Sequence, residues 1–361
     1  MLLPPQLCGN DVALRFLERL LARDSLPATL LLTGPGGLGK ALAGYLFAKA
    51  LVCRQNEARR LASCGECAHC RALEAGASSD FVGIRPRTAK LTLKTVREEH
   101  NSFREAYLYP SQLPYRIFLL EECHAMSEDL SNTMLKLLEE PPERTLFILV
   151  TDRPSLLLPT ILSRSLRQRF LPVAEEGVER WLRAEGVGET DAKNAAFFSQ
   201  GRPGLARMLL SDADLLPKLA ATMNRLTNLV RKQPEARGLY PLGEALLALS
   251  DRVAEVLVRL EEGQAPDGYY LLPWRRAFAV PEDEDAPGLA EERRRELARE
   301  ALLLTLEWLL LTLWRVQREG GPAYATAAVP LLAEAAGMLE VNLREEQVVD
   351  WVLLQLGDAR I

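Results

Sequence analysis

The sequence has no hydrophobic run long enough to cross a bilayer. Its greasiest stretch, Ala301–Trp314, is interrupted by Glu307 and falls short of the ~20 apolar residues a membrane helix needs, so it reads as a buried helix. There is no internal repeat and no long low-complexity tract, and with 48% hydrophobic and 26% charged residues the composition excludes a disordered or collagen-like chain. Six cysteines in 361 residues do not make a disulfide-stapled miniprotein. The start, Met1–Pro5, lacks a basic segment leading into an apolar core, so no secretory signal is expected and a cytoplasmic location follows. A basic excess is also missing: Lys+Arg is 44 against 49 Asp+Glu, a net charge of −5, which argues against a chain that coats phosphates over its whole surface.

At ~150 residues per domain, two or three soluble domains are expected. The charge divides unevenly among them. Residues 212–361 carry 17 basic and 25 acidic side chains, whereas residues 1–211 carry 27 and 24. The first portion can face a polyanion; the second is suited to packing against other subunits.

Residues 11–23 repeat apolar positions at three- and four-residue steps, which predicts an amphipathic helix. Strands are predicted at Ala28–Thr33, Asp80–Arg85, Tyr115–Leu120, Thr145–Thr151 and Leu166–Leu171, with helical or loop sequence between them. That alternation means an α/β domain with a mostly parallel sheet covered on both faces. After Pro172 the strand pattern stops. Residues 175–211 read as a small helical unit broken at Gly186–Gly188 and Gly201–Gly204, and from Leu215 the chain is helical and Leu/Ala-rich. Loops interrupt it at Glu262–Pro273 and Pro281–Pro287, and the mixed charges of Glu291–Arg299 read as a solvated helix face.

Four constellations carry chemistry. The first is Gly34-Pro35-Gly36-Gly37-Leu38-Gly39-Lys40-Ala41, between a strand and a helix. In such a loop Gly34, Gly36, Gly37 and Gly39 let backbone N–H groups converge on phosphate oxygens at a helix N-terminus, and Lys40 reaches the terminal phosphates. The last position ordinarily supplies a hydroxyl to Mg²⁺, and here it is Ala41. The second is Tyr115–Leu120 running into Glu121 and Glu122. In a nucleotide hydrolase this strand end holds an acidic Mg²⁺ partner and then a Glu that polarises the attacking water; a solvated strand end is the plain alternative. Third, Ser163-Arg164-Ser165 follows the strand Thr145–Thr151. Arg164 is a surface charge or, on a nucleotide fold, an arginine finger that neutralises charge developing on a γ-phosphate. Fourth, Cys53, Cys64, Cys67 and Cys70 have the spacing of a structural tetrahedral Zn²⁺ site with no open position for substrate. His69 is a substitute ligand made redundant by four thiolates.

These features in this order, with Leu135–Pro142 (LKLLEEPP) between the second and third, resemble the bacterial DNA polymerase III clamp-loader ATPase family. The resemblance covers roughly residues 1–211 in motif detail; Ser165 stands where the family's Ser-Arg loop has Cys, and Thr151 matches its nucleotide-sensing strand end. It implies an AAA+ P-loop domain with a parallel sheet and zinc module (residues 1–172), a helical lid (173–211) and an all-α collar for oligomerisation (212–361). The implied partners are the gamma/tau motor subunits and the delta subunit in a hetero-oligomeric ring, with the sliding clamp and primer–template DNA reached through the complex and no membrane. It also places Lys94 and Arg97 on a helix that faces duplex backbone, although a solvated helix face explains them equally.

Departures from the motor pattern set the expected role. Ala41 removes the metal hydroxyl, and Glu121 replaces a shorter Asp. Gly204 occupies the lid position where motor subunits carry a γ-phosphate-sensing Arg, with Arg202 and Arg207 close enough to compete for the assignment. Arg164 is intact. The resemblance therefore implies a non-hydrolysing subunit that donates Arg164 to the ATP/Mg²⁺ site of a neighbour, with weak or no nucleotide at its own loop. The chain's end at Ile361, without a long polar extension, points the same way. An active motor-type ATPase and a pure scaffold are the competing readings.

Overall fold

A computed structural model describes residues 7–23, 25–86, 90–94, 96, 103–231, 240–262, 287–319, 325–340 and 343–358. Its centre is a parallel sheet of β1 (Thr29–Thr33), β2 (Phe81–Ile84), β3 (Arg116–Leu120), β4 (Thr145–Thr151) and β5 (Leu166–Arg169), in the order β2-β3-β4-β1-β5. Every residue of β1, β3 and β4 is buried, as continuous apolar runs require when both faces of a sheet are covered. All five strands stand where the sequence pattern puts them; β4 keeps its predicted bounds and the other four are trimmed by a residue or two at their ends. The last is the exception in kind: β5 is an edge strand of sequence LRQR with alternate exposure, and Phe170 lies beyond it.

The two-residue period sorts the strand side chains between two cores. Leu30, Leu32, Ile117, Leu119, Leu146 and Ile148 face α1 (Asp11–Leu21) and α2 (Lys40–Val52). Leu31, Phe118, Leu120, Phe147 and Leu149 face the opposite way, against Leu130, Met134, Leu137 and Leu138 of α4 (Glu128–Glu139). The short helix α3 (Ala68–Glu74) follows the cysteine loop. Gly44 lets α2 lie close on the sheet, since a Cβ there would sit 2.9 Å from Ile148 Cγ2.

Asp80, before β2, is fully buried. Its Oδ2 accepts the N–H groups of Ser111, Gln112 and Leu113 at 2.8, 2.5 and 3.0 Å, and Oδ1 pairs with Arg116 Nη2 at 2.7 Å. Breaking one side of such a pair costs about 3–5 kcal/mol, because the other charge is left buried. This pair pins the start of β3, the strand that delivers Glu121 and Glu122.

The helical remainder begins with α5 (Pro159–Ser163), still against the sheet, then α6 (Glu175–Ala184), α7 (Glu189–Ser199) and α8 (Pro203–Leu210). It continues through α9 (Leu215–Arg231), α10 (Tyr240–Glu261), α11 (Pro287–Arg318), α12 (Ala325–Glu340) and α13 (Glu345–Asp358). Buried residues from Val178 to Leu356 form one continuous apolar cluster, so α6–α8 share a core with the helices that follow. Trp308, fully buried, joins them by donating Nε1–H to the Phe198 carbonyl at 2.9 Å. Among the described residues no helix is long and apolar enough to cross a membrane. The predicted loop at Pro281–Pro287 falls almost wholly outside the described residues. The segment Glu291–Arg299 is not simply a solvated face: Arg294 and Arg295 are exposed, but Arg293 turns inward to an ion-pair cluster described below.

Candidate functional site

The Gly-rich loop runs from the end of β1 to the start of α2, as predicted. Gly34, Gly37 and Gly39 have φ of 132°, 75° and 78°, a backbone path that side chains resist. At Gly34 a Cβ would also collide with the Phe170 carbonyl oxygen at 2.3 Å. The Lys40 side chain turns back on its own loop, where Nζ donates to the carbonyls of Gly34 and Pro35, both at 2.6 Å. Burial lowers its pKa to about 8, even though Asp152, Glu121 and Glu122 favour the charged form. Next to Lys40 stands Ala41, whose side chain offers no hydroxyl to a metal.

The loop's tip is engaged by α8. The Gly204 N–H, in the first turn of α8, donates to the Gly37 carbonyl at 2.7 Å. A Cβ on Gly204 would meet that same oxygen at 2.9 Å, so the small residue permits the contact. The Gly37 carbonyl thus caps an N-terminal amide of α8. Both arginines that compete with Gly204 are committed elsewhere. Arg202 pairs with Glu307 of α11 at 2.8 Å, and Arg207 pairs with Glu185 and lies 4.8 Å over the Trp181 ring.

Glu121 and Glu122 leave β3 in different conditions. Glu121 is buried, whereas Glu122 adopts a left-handed backbone (φ 48°) and its Oε1 lies 3.6 Å from Arg293 Nη2. Arg293 also holds Glu261 at 2.8 Å and Glu296 at 2.9 Å, and Glu261 further pairs with Arg85. The carboxylate expected to polarise water is therefore faced by a cation from a helix 171 positions later in the chain. Thr151 is buried at the end of β4; its Oγ1 accepts the Arg153 N–H at 3.0 Å and lies 3.1 Å from His124 Nδ1. That His124 nitrogen is also 3.4 Å from Asp152, and burial lowers the imidazole pKa. Asp152, His124 and Arg293 belong to this site and were missed by sequence reasoning. A polar residue just past a strand end was the available clue for Asp152; none existed for Arg293.

Arg164 follows α5, with 36% of its side chain exposed, and pairs with Glu139 at the end of α4 at 2.8 Å. Glu139 belongs to the LKLLEEPP run, so the strand-flanking helix parks the arginine. Lys94 is exposed on a helical turn after Leu91, and Arg97 lies outside the described residues.

The four cysteines come together. All four Sγ atoms lie within 4.8 Å of one another, and the Cys64–Cys70 separation is 3.8 Å. A tetrahedron with ~2.3 Å Zn–S bonds has edges of ~3.8 Å, so the residues fit a structural Zn²⁺. Backbone amides support the thiolates: Cys64 N–H points to Cys53 Sγ at 3.4 Å and Cys67 N–H to Cys64 Sγ at 3.3 Å. The second contact is the main reason the Cys64 pKa is lowered. His69 is a bystander, since its ring nitrogens engage the Val52 carbonyl at 2.7 Å and Arg54 Nε at 3.2 Å.

The profile described as "DNA polymerase III, delta subunit" matches residues 9–174. Over this segment the chain is similar to the DNA polymerase III clamp-loader family. It is 31% identical over 170 residues to DNA polymerase III subunit tau of Bacillus subtilis, covering 47% of the chain and 29% of that protein. To subunit delta' of Pseudomonas aeruginosa it is 30% identical over 217 residues (60% of the chain, 64% of the relative), and to delta' of Escherichia coli 31% over 183 residues (50% and 53%). The chain spans between about a third and two thirds of the curated relatives it matches. Among solved structures, a DNA polymerase III gamma subunit-related protein from Thermotoga maritima aligns over 96% of this chain and 99% of its own, at 17% identity and a TM-score of 0.46.

Proposed function

We propose that this chain is a delta-prime-type clamp-loader subunit: it does not hydrolyse ATP itself and supplies Arg164 to the ATP/Mg²⁺ site of a neighbouring gamma/tau-type motor subunit. In this reading it works in the cytoplasm, within a ring that also contains a delta subunit and loads a sliding clamp onto primed DNA. The observation that carries it is the state of its own loop, where Lys40 bonds to Gly34 and Pro35 and the Gly37 carbonyl caps the lid helix. Together with Ala41, which removes the metal hydroxyl, and Glu122, whose carboxylate faces Arg293, this supports a loop that does not turn over Mg²⁺-nucleotide.

Arg164, by contrast, is poised to leave. Its ion pair with Glu139 is a surface pair with both side chains at least a third exposed, worth about 0–1 kcal/mol, so a neighbour's phosphates outcompete it easily. The planar, permanently charged guanidinium then stabilises charge that builds on the γ-phosphate. In the same reading residues 1–172 form the AAA+ domain, 173–211 the lid and 212–361 the collar. Cys53, Cys64, Cys67 and Cys70 hold a structural Zn²⁺, and Lys94 touches duplex backbone.

The test is ATPase turnover of the reconstituted complex. Arg164→Ala is expected to assemble normally and to cost about 10³-fold or more at the site it serves, while Lys40→Ala leaves turnover unchanged. Normal turnover with Arg164→Ala, or loss with Lys40→Ala, refutes the assignment.

A further inference from the structure

The loop enclosed by Cys53 and Cys64 lies beside α1, and between them is an open groove of about 550 Å³ lined by Arg15, Arg19, Arg59 and Arg60 with Glu18 as the one acid. We infer that this groove binds the phosphodiester backbone of duplex nucleic acid, independently of sequence. The inference stands apart from the role proposed for Arg164.

The groove concentrates charge without neutralising it. Arg15 leans towards Asp11 at 3.9 Å, but among the described residues Arg19, Arg59 and Arg60 have no carboxylate within 4 Å. Guanidiniums converging on one concavity repel each other, and the chain as a whole is acidic, so this concentration works against stability unless a polyanion occupies it.

The arginines are also held in place. Asn56 Nδ2 donates to the carbonyls of Ala50 (2.9 Å) and Arg60 (2.8 Å), its Oδ1 accepts the Arg60 N–H at 3.0 Å, and its carbonyl accepts the Arg59 N–H at 3.1 Å. Arg59 sits at φ 48°, a left-handed conformation unfavourable for a residue with a Cβ, and its Nη1 donates to the Arg23 carbonyl at 3.3 Å. The cysteine cluster clasps both ends of this loop, Cys64 N–H bonding to Cys53 Sγ. A strained, pre-set arginine loop with unpaired charge is what anion recognition needs, because little ordering remains to be done on binding.

The lining also selects the class of polyanion. It holds no aromatic side chain, so bases of a single strand find no stacking platform. Its apolar members are Ala22 and Ala58, too small to anchor an acidic peptide. What is left is charge alone, which matches a regular array of phosphates.

The experiment is fluorescence anisotropy of the full-length chain with a labelled short blunt duplex, over a range of salt concentrations. The triple variant Arg19→Ala, Arg59→Ala, Arg60→Ala is expected to weaken binding about tenfold or more at low salt and to flatten the plot of log K against log[salt] by about 0.9 per lost phosphate contact. Arg180→Ala with Arg183→Ala, on α6, leaves both unchanged. Arg59→Gly separates folding from binding: it relieves the left-handed strain and raises the melting temperature, yet weakens the duplex. Wild-type affinity and slope in the triple variant overturn the inference. So does tighter binding of a single strand of equal length, or of polyglutamate, which assigns the groove to another partner.

Discussion

If α8 rests on the Gly-rich loop through Gly204, the substitution Gly204→Ala has a sign opposite to that expected of a helical glycine. The residue lies in the first turn of α8 with no positive φ, so Ala is compatible with its backbone. Considered alone, the change stabilises by about 0.4–1 kcal/mol, because the unfolded chain loses conformational freedom. Here the new Cβ would lie 2.9 Å from the Gly37 oxygen and 3.2 Å from the Gly37 Cα, both backbone atoms that cannot rotate away. The helix α8 must back off, and its 2.7 Å hydrogen bond lengthens or breaks. Losing that bond costs about 0.5–1.5 kcal/mol and the overpacking about 1–3. The net is a destabilisation of about 1–3 kcal/mol, or several degrees in Tm at about 2–4 °C per kcal/mol. Gly337→Ala in α12 is the control, since a Cβ there meets nothing within 4 Å, and it should stabilise by about 1 kcal/mol. Thermal unfolding of both variants, with hydrogen exchange at the Gly204 amide, reads the outcome. If Gly204→Ala raises Tm as Gly337→Ala does and leaves exchange at Gly204 unchanged, α8 does not rest on the loop and its closed arrangement is refuted.

Two other measurements test the loop and the cysteine site. Lys40 has a folded pKa of about 8, below the ~10.4 of a free lysine, so between those values the unfolded chain binds the proton more tightly. Its contribution to stability therefore rises with pH across that window, by about 3 kcal/mol in total, and NMR titration of labelled lysines should show one resonance with a midpoint near 8 that disappears in Lys40→Arg. A lysine midpoint no lower than the others would contradict the buried, self-bonded position. For the cysteines, elemental analysis of the purified chain should find one equivalent of zinc, and Cys70→Ser should reduce it to a trace while lowering Tm; full zinc retention in that variant would rule the four-thiolate site out.

Much of this molecule is written in local patterns. The apolar runs of β1, β3 and β4, the glycines that permit the loop's backbone, and the spacing of Cys53, Cys64, Cys67 and Cys70 each state their structure within a dozen or so residues, because periodicity, φ preference and ligand spacing are local properties. Positions next to a motif were harder to read. Asp152 and His124 flank Thr151 and Glu122 but belong to no pattern, and their role near Lys40 depends on two strand ends lying side by side.

What only the tertiary structure decided is how charges were spent. In the linear sequence Gly204 aligns with the sensing position, and Arg202 and Arg207 lie close enough to compete for it. Docking of α8 on the loop and on α11 gives Gly204 the contact with Gly37, sends Arg202 to Glu307 and sends Arg207 to Glu185. Arg293 looks like one more charge on a solvated helix until α11 brings it beside Glu122 and Glu261. Asp80 and Arg116 are unremarked polar residues until burial makes each the other's counter-ion. A guanidinium serves a carboxylate only within a few ångströms, and for these pairs that distance is set by packing of elements up to 171 positions apart, through apolar contacts that carry no information about which charges they will bring together.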